Sequence, residues 1–403
     1  MDLNSAIAML GRTVTVISES DKSLLAEIAA APGFKAPTKA LSSVQSLGGG
    51  LTLQPADALL GLAYATRMHH VHPDIYELYR LWSWMRYLGV FDVDGNDSLI
   101  LSNEARQIRG NQRRVLSEEL GIGFAKVAAE RWMAAELGFG TVTLVDVDVV
   151  PDGGVLPVAG AHLATKISTR RPDYFLVHLD GSGVSRVRVL ECKGTLDPGN
   201  QVPQLAKAVR QLEGIAIDGA MPVGLAVSAA LPDDGPVRLR SVDPHDDEFK
   251  FNVRLPPQSP AAVRGDAPVD AQEAVRGVVE AGWAHVADFA GSTEVAAYWA
   301  PAQLRGRFLE RPADATRVET PVGICVGRQL AFQSGNQRVS VFCGVIDVLH
   351  DALASGDRDR VLDAQGYVAD VSQSSRDGAL SEVRDHAVAV GADGTVLELR
   401  ILG

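Results

Sequence analysis

Residues 171–195 read RPDYFLVHLDGSGVSRVRVLECKGT, and this stretch decides the expected fold of the central part of the chain. Two apolar segments flank the turn-forming residues 180–183, DGSG, and together they predict a β-hairpin. If the turn centres on Ser182, the residue numbers of cross-strand partners sum to 364, which is twice 182. Asp173 and Glu191 then lie side by side on neighbouring strands, with their Cβ atoms roughly 5 Å apart.

The same hairpin places a lysine beside the two carboxylates. Successive side chains of a strand point to opposite faces, so Lys193 shares a face with Glu191 while Cys192 points away. Paired carboxylates repel each other, and a divalent cation bound between them removes the repulsion. Hard oxygen ligands select Mg²⁺ or Mn²⁺, which can activate a water and neutralise charge on a phosphate. Lys193 would orient that water or stabilise the developing negative charge.

Helical and strand periodicities predict the elements around this hairpin. A long helix, a strand and a Gly/Pro-rich loop precede it, and a second helix and an apolar strand follow it. The predicted bounds are a helix over 115–137, strands over 141–150, 173–179 and 186–193, a helix over 202–215 and a strand over 223–231. The order is therefore αβββαβ, and we place this α/β domain at residues 111–235.

These residues and this order of elements resemble the PD-(D/E)xK superfamily, the restriction-endonuclease-like nucleases. Pro172-Asp173 matches the first half of the superfamily's motif, and Glu191-Cys192-Lys193 matches the second half. The resemblance covers residues 111–231 and implies a restriction-endonuclease-like core that hydrolyses phosphodiester bonds. It also implies that Asp173, Glu191 and the Cys192 carbonyl bind Mg²⁺ or Mn²⁺, and that Lys193 is catalytic.

The resemblance implies two further contributions, an acid on the first helix and a glutamine on the helix after the lysine. Glu118 follows the apolar face of the first helix, whereas Gly123, one turn after Glu119, would let the helix approach the sheet. We expect Glu119 to serve the site, because a core-facing acid bears a large desolvation cost. Gln204 and Gln211 share a helical face and are candidates to hold the site or to bind the substrate backbone.

Within residues 1–110, the sequence predicts helices as far as Gly89 and a small hairpin after it. Pro73 suits the first turn of a helix whose apolar residues recur at three- and four-residue spacing. Residues 90–101, VFDVDGNDSLIL, predict the hairpin, and Ser102 can cap a short helix after it. Helix, helix and hairpin together resemble a winged helix-turn-helix domain, which implies a nucleic-acid-binding domain over 1–110.

The third region, residues 236–403, predicts an α+β domain without a chemical motif. A Pro-rich stretch at 255–268 is typical of a linker. A helix over 271–289, strands over 321–332 and 339–348, and a final hairpin turning at 393–394 are predicted beyond it. This domain is a candidate surface for a homodimer or a protein partner.

Composition and charge exclude several classes of protein. A hydrophobic fraction of 46% with 22% charged residues excludes wholesale disorder. No apolar run approaches the ~18 residues of a membrane span, and residues 1–11 lack the features of a signal peptide. The three cysteines form no CxxC pair, which argues against a zinc ribbon or a disulfide framework. We therefore expect a cytoplasmic protein without membrane contact.

The net charge of −12 is unevenly distributed along the chain. Residues 241–403 carry 15 Lys and Arg against 24 Asp and Glu, whereas residues 161–215 carry 8 against 5. The central part is therefore the section suited to a phosphate backbone.

These observations predict a Mg²⁺-dependent DNA endonuclease, with cleavage of foreign or modified DNA as a plausible setting by analogy. An RNA-directed nuclease is also compatible with the sequence. The rival prediction is a catalytically silent scaffold that keeps the nuclease fold and binds nucleic acid or docks a protein. Metal binding distinguishes the two, because only the nuclease needs it.

Overall fold

The computed structural model describes residues 1–66, 72–149, 164–166, 170–180, 183–217, 221–245, 252–254, 271–376 and 386–402. The α-helices within these ranges are α1 (Leu3–Gly11), α2 (Lys22–Ala30), α3 (Pro55–Ala65), α4 (Pro73–Met85), α5 (Asn103–Gln107), α6 (Gly110–Leu137), α7 (Gln201–Gln211), α8 (Ala271–Phe289), α9 (Thr293–Trp299), α10 (Ala302–Leu309), α11 (Asp347–Ala354) and α12 (Arg358–Arg376). The strands are β1 (Val14–Glu19), β2 (Ala40–Ser42), β3 (Leu51–Leu53), β4 (Phe91–Val93), β5 (Leu99–Leu101), β6 (Gly140–Asp146), β7 (Ala164–Lys166), β8 (Tyr174–Asp180), β9 (Val184–Thr195), β10 (Ile215–Ile217), β11 (Gly224–Ala230), β12 (Arg238–His245), β13 (Asn252–Arg254), β14 (Thr316–Thr320), β15 (Gly323–Ser334), β16 (Gln337–Ile346), β17 (His386–Val390) and β18 (Thr395–Ile401).

A curled mixed sheet forms the centre of the protein, so the predicted α/β class is confirmed. Its strand order is β3-β1-β12-β11-β9-β8-β6, with β13 added to β9 and β2 added to β12. The pairs β11–β9 and β1–β12 are parallel, and the other pairs along this path are antiparallel. Every residue of β11 is buried, as expected for a strand covered on both faces.

The predicted hairpin register is confirmed. Tyr174 pairs with Leu190 and Phe175 with Val189, so the residue numbers of each pair sum to 364. Residues 181–182 of the turn lie outside the described residues. The order αβββαβ is present as α6, β6, β8, β9, α7 and β11, with the short pair β7–β10 added. The first of these strands ends at Asp146 and not at residue 150, because a 3₁₀ turn follows over Val147–Val149.

The predicted domain boundaries do not separate independent sheets. Strands β1, β2 and β3 come from the region predicted as a separate winged-helix domain, yet all three belong to the central sheet. Strand β12 lies in the region assigned to the C-terminal domain and pairs with both β1 and β11. The boundaries at 110 and 235 therefore cut through one sheet. Strands β1, β2 and β3 lie in a region that the sequence predicted to be helical. Strands β2 and β3 are only three residues long, which is too short for a clear alternating pattern.

The elements of the winged-helix pattern are present, but the hairpin is docked. Helix α4 begins at Pro73, and the Ser102 hydroxyl accepts a hydrogen bond from the Ala105 N–H at 3.1 Å, as its capping role predicts. The β4–β5 turn lies against β1, where the Thr15 N–H donates to the Asp97 carbonyl at 2.9 Å. Almost all of α3 is buried. The hairpin therefore contacts the central sheet instead of extending from it as a free wing.

The C-terminal part forms an antiparallel sheet of order β14-β15-β16-β18-β17. Helix α8, which has the predicted bounds, contacts β6 of the central sheet and β16 of this one. The two sheets thus share a helical layer. The predicted linker at 255–268 falls outside the described residues. Among the residues that are described, no helix is long and apolar enough to cross a membrane.

Candidate active site

Asp173 is held at the open end of the hairpin. Its backbone N–H donates to the Leu190 carbonyl at 3.1 Å, beside the Tyr174–Leu190 pair at which the β8–β9 ladder ends. Its Oδ2 accepts a hydrogen bond from the Cys192 N–H at 2.8 Å. Backbone N–H and C=O groups of one strand residue point the same way, so the Cys192 carbonyl also lies on the Asp173 side. The structure thus brings Asp173 and the strand carrying Glu191 together, as predicted.

The Glu191 side chain is fully buried, and only one of its two carboxylate oxygens accepts a hydrogen bond. Its side chain is 0% exposed, and its Oε1 accepts a hydrogen bond from the Lys193 ammonium, whose side chain is 26% exposed. Its Oε2 is buried without a hydrogen-bond partner among the residues that the structure describes. A buried carboxylate oxygen without a donor is costly unless a proton or a cation satisfies it, and the Asp173 carboxyl lies within hydrogen-bonding reach of Glu191.

Burial dominates the electrostatics of the site. It raises the pKa of Glu191 to about 8, with the neighbouring Asp173 charge adding to the effect. Burial also raises the pKa of Asp173, and that of Asp146 at the end of β6 to about 6. For Lys193, burial opposes the charged form, but the Glu191 carboxylate outweighs it and raises the pKa. The acids repel one another in a low-dielectric setting that a divalent cation would relieve.

Helix α6 crosses β9 directly beside the lysine. A Cβ on Gly194 would lie 1.8 Å from the Ser117 carbonyl oxygen, so only glycine fits at this position. Side chains alternate along the strand, and Gly194 faces α6, so Glu191 and Lys193 face away from α6. Their face is covered by the α7 segment, since Leu212 contacts the Cβ position of Gly224 beside Val189.

The structure does not bring Glu119 to the carboxylate pair, so this expectation needs correction. Its Oε2 accepts a hydrogen bond from the Tyr87 hydroxyl at 2.7 Å and forms an ion pair with Arg86. The reasoning from Gly123 was wrong, because a Cβ there would lie 2.1 Å from the Ala58 carbonyl of α3. Gly123 therefore lets α6 approach another helix and not the sheet.

Glu118, the alternative acid, stands nearer to β9. Its Cα would lie 2.9 Å from a Cβ on Gly194, but its side chain is 58% exposed and pairs with Arg114 at 3.7 Å. Both acids belong to the helix on the opposite face of the sheet from Glu191.

The two glutamines predicted to line the site bond to its backbone. Gln204 donates to the Gly194 carbonyl at 3.0 Å and accepts from the Ser228 hydroxyl at 2.8 Å. Gln211 donates to the Arg171 carbonyl at 3.4 Å. Both side chains thus bond to the two chain segments that carry the acids.

A cleft of about 870 Å³ opens beside Asp173. One wall is α7 with the loop that follows α2, and the other is the end of β6 with the segment before β8. Its charged lining residues are Lys35, Asp146, Asp148, Arg170, Arg171, Asp173, Lys207 and Arg210. Cations outnumber acids on this surface, which suits a ligand of negative charge.

The donor set fits Mg²⁺ or Mn²⁺. Two carboxylates and the Cys192 carbonyl would supply oxygen ligands, whereas the buried Cys192 thiol has its pKa raised well above the ordinary value and lies on the other face. No group of three or more His, Cys, Asp or Glu side chains is placed to hold a metal within the described part of the chain. Mg²⁺ commonly binds through one or two carboxylates and keeps several waters, so two are sufficient.

Sequence reasoning missed Asp146 and the N-terminal wall of the cleft. Asp146 ends an apolar strand and could have been recognised as an acid at the same sheet edge as Asp173. Lys35 carried no such signal, because its loop is held by hydrogen bonds to residues 210–222, which come far later in the chain. Comparison of the chain with family models, with curated proteins and with solved structures gave no match.

Proposed function

We propose that the protein is a metal-dependent nuclease that hydrolyses phosphodiester bonds in DNA. The observation that carries this proposal is the environment of Glu191, a fully buried acid beside Asp173 with one oxygen left without a donor. A carboxylate oxygen in that position, next to a second carboxyl, is available to a divalent cation. Cleavage of foreign or modified DNA is the setting we propose, by analogy with restriction-endonuclease-like enzymes.

Asp173, Glu191 and the Cys192 carbonyl would hold Mg²⁺, which would supply an activated water and neutralise phosphate charge. The hydrogen bond from the Cys192 N–H fixes the Asp173 carboxylate in one orientation. Lys193 keeps its ammonium against Glu191 while part of its side chain reaches solvent. From there it can stabilise negative charge that develops on a phosphate.

A protein-docking scaffold is the second candidate, and the outer face of α4 favours it. Leu78 is 67% exposed and Trp82 63% exposed, with Tyr79 beside them. Exposed apolar residues in a contiguous patch are typical of a protein interaction surface. Among the side chains described on this face, few are of the basic and polar kinds with which a recognition helix reads DNA.

The decisive experiment incubates the purified protein with plasmid, linear duplex, single-stranded DNA and RNA, each with Mg²⁺, Mn²⁺ or EDTA. Asp173→Asn, Glu191→Gln and Lys193→Ala should each abolish cleavage and leave the circular dichroism spectrum unchanged. Asp180→Asn, at the far end of β8, is the matched control and should cleave like the wild type.

Mg²⁺ should raise the melting temperature of the wild type and of Lys193→Ala, because an ammonium is not a ligand, but not that of Asp173→Asn. Full activity in EDTA or in Lys193→Ala would contradict the proposed chemistry. Metal-independent stability together with no cleavage of any substrate would favour the scaffold.

A further inference from the structure

The cleft beside Asp173 contains two lysines that the proposed chemistry does not use. Lys35 and Lys207 line it, are exposed, and make no ion pair with any residue in the described ranges. Two of the arginines on the cleft are already paired, since Arg171 bonds to Asp148 and Arg210 to Glu213. The two lysines are therefore the cations best placed to meet an incoming anion.

The wall that carries Lys35 is anchored to the sheet and to α7. The Lys39 ammonium donates to the Met221 carbonyl at 2.7 Å, and the Arg210 guanidinium donates to the Ala36 carbonyl at 3.3 Å. The Thr38 N–H also donates to Glu213. These bonds fix the loop after α2 on the α7 side of the cleft, so Lys35 and Lys207 belong to one continuous basic wall.

The form of this surface fits a single strand better than a duplex. The cleft has a volume of about 870 Å³, within the roughly 300–1,000 Å³ range of small-molecule pockets, whereas a duplex is usually read by a helix that lies in its groove. The elements that could have read a duplex are unsuited to it, because the β4–β5 hairpin is docked on β1 and α4 presents Leu78 and Trp82.

We propose that Lys35 and Lys207 bind backbone phosphates of a single nucleic-acid strand and direct that strand along the cleft to Asp173. This inference rests on the proposed nuclease function for the identity of the ligand. It assigns substrate binding to the loop after α2 and to α7, and not to the winged-helix-like elements. Strand ends, gaps and single-stranded segments are then the places where the enzyme acts.

The test measures binding apart from cleavage, in the Lys193→Ala background with Mg²⁺. Fluorescence anisotropy of a labelled single-stranded oligonucleotide and of a duplex of the same length gives the two affinities across a salt series. Adding Lys35→Gln and Lys207→Gln should weaken single-strand binding about tenfold and reduce the slope of log K against log salt by about 1.4, or about 0.7 per lost phosphate contact.

Lys22→Gln is the matched control, because Lys22 is an exposed lysine on α2 that does not line the cleft. It should leave both affinities unchanged. Equal binding by the double lysine variant and this control would overturn the inference, as would lysine-dependent duplex binding as tight as that of the single strand. If the wild type binds the single strand in a salt-sensitive way but does not cleave it, the nuclease function is refuted. Phosphate binding by Lys35 and Lys207 would then still stand.

Discussion

Glu191→Gln separates a catalytic acid from a structural one by its effect on stability. Glu191 is fully buried and its pKa is raised to about 8, so its ionised form is unfavourable in the fold. Glutamine has the same shape without the charge. If Glu191 exists to hold a metal, this substitution should stabilise the metal-free protein while it abolishes cleavage.

The expected magnitude depends on pH. The unfolded chain ionises Glu191 near 4.5 and the folded chain near 8, so the folded state binds the proton more tightly. Stability of the wild type must therefore fall as the pH rises between these values. At about 1.4 kcal/mol per pH unit, the loss of stability is on the order of 5 kcal/mol once the pH exceeds the folded pKa. The stability of Glu191→Gln should not fall in this way as the pH rises.

Thermal unfolding in EDTA at a mildly acidic and a mildly alkaline pH measures the effect. Wild type and Glu191→Gln should melt at similar temperatures near pH 5, and Glu191→Gln should melt higher by several degrees near pH 8.5. Added Mg²⁺ should then raise the melting temperature of the wild type alone. If Glu191 instead stabilises the fold through Lys193, its loss should cost roughly 3–5 kcal/mol at alkaline pH. That result would refute the reasoning.

Other predictions follow from single contacts. Gly194→Ala should destabilise the protein by about 3 kcal/mol or more in urea unfolding, because its Cβ would meet a carbonyl oxygen at 1.8 Å; Gly89→Ala, with no atom within 4 Å, should be close to neutral. Burial lowers the pKa of His178 from 6.5 to about 4, so the folded state binds its proton less tightly. Stability should fall by about 2 kcal/mol as the pH drops from 6.5 to about 5, and His178→Gln should remove that loss; an unchanged pH profile would show the imidazole to be accessible. Glu119→Gln should retain the wild-type Mg²⁺ requirement in a cleavage assay, and a raised requirement would return this residue to the site.

The hairpin and its register could be predicted because both depend on local chemistry. A turn-forming sequence between two apolar segments leaves one pairing that buries the right face, and this pairing places Asp173 beside Glu191. Periodicity of two then assigns Lys193 to the same face. The contact between Lys193 and Glu191, and the hydrogen bond from Cys192 to Asp173, both agree with that local argument.

Which face of α6 packs against the sheet could not be predicted from the sequence of this helix. Apolar residues are distributed around much of this helix, since it contacts α3 on one side and β9 and β11 on another. Gly121 and Gly123 look equivalent in sequence, yet the first meets Gly194 of the sheet and the second meets Ala58 of α3. Only the packed structure shows which glycine approaches which neighbour. Glu119 was preferred because Gly123 was expected to face the sheet, whereas Gly123 faces α3.

The pairing of β1 with β12 has a consequence for how the chain is made. Glu19 and Arg240 bond to each other although 221 residues separate them in sequence. At a synthesis rate of about 5–20 residues per second, β1 waits roughly 10–45 s for this partner to leave the ribosome. The sheet therefore has a high contact order and closes late, which favours slow folding. Until β12 has emerged, one edge of β11 is unpaired and the sheet that carries Glu191 and Lys193 is incomplete. Under the proposed nuclease function, the nascent chain should therefore be inactive beside the nucleic acids that surround its synthesis.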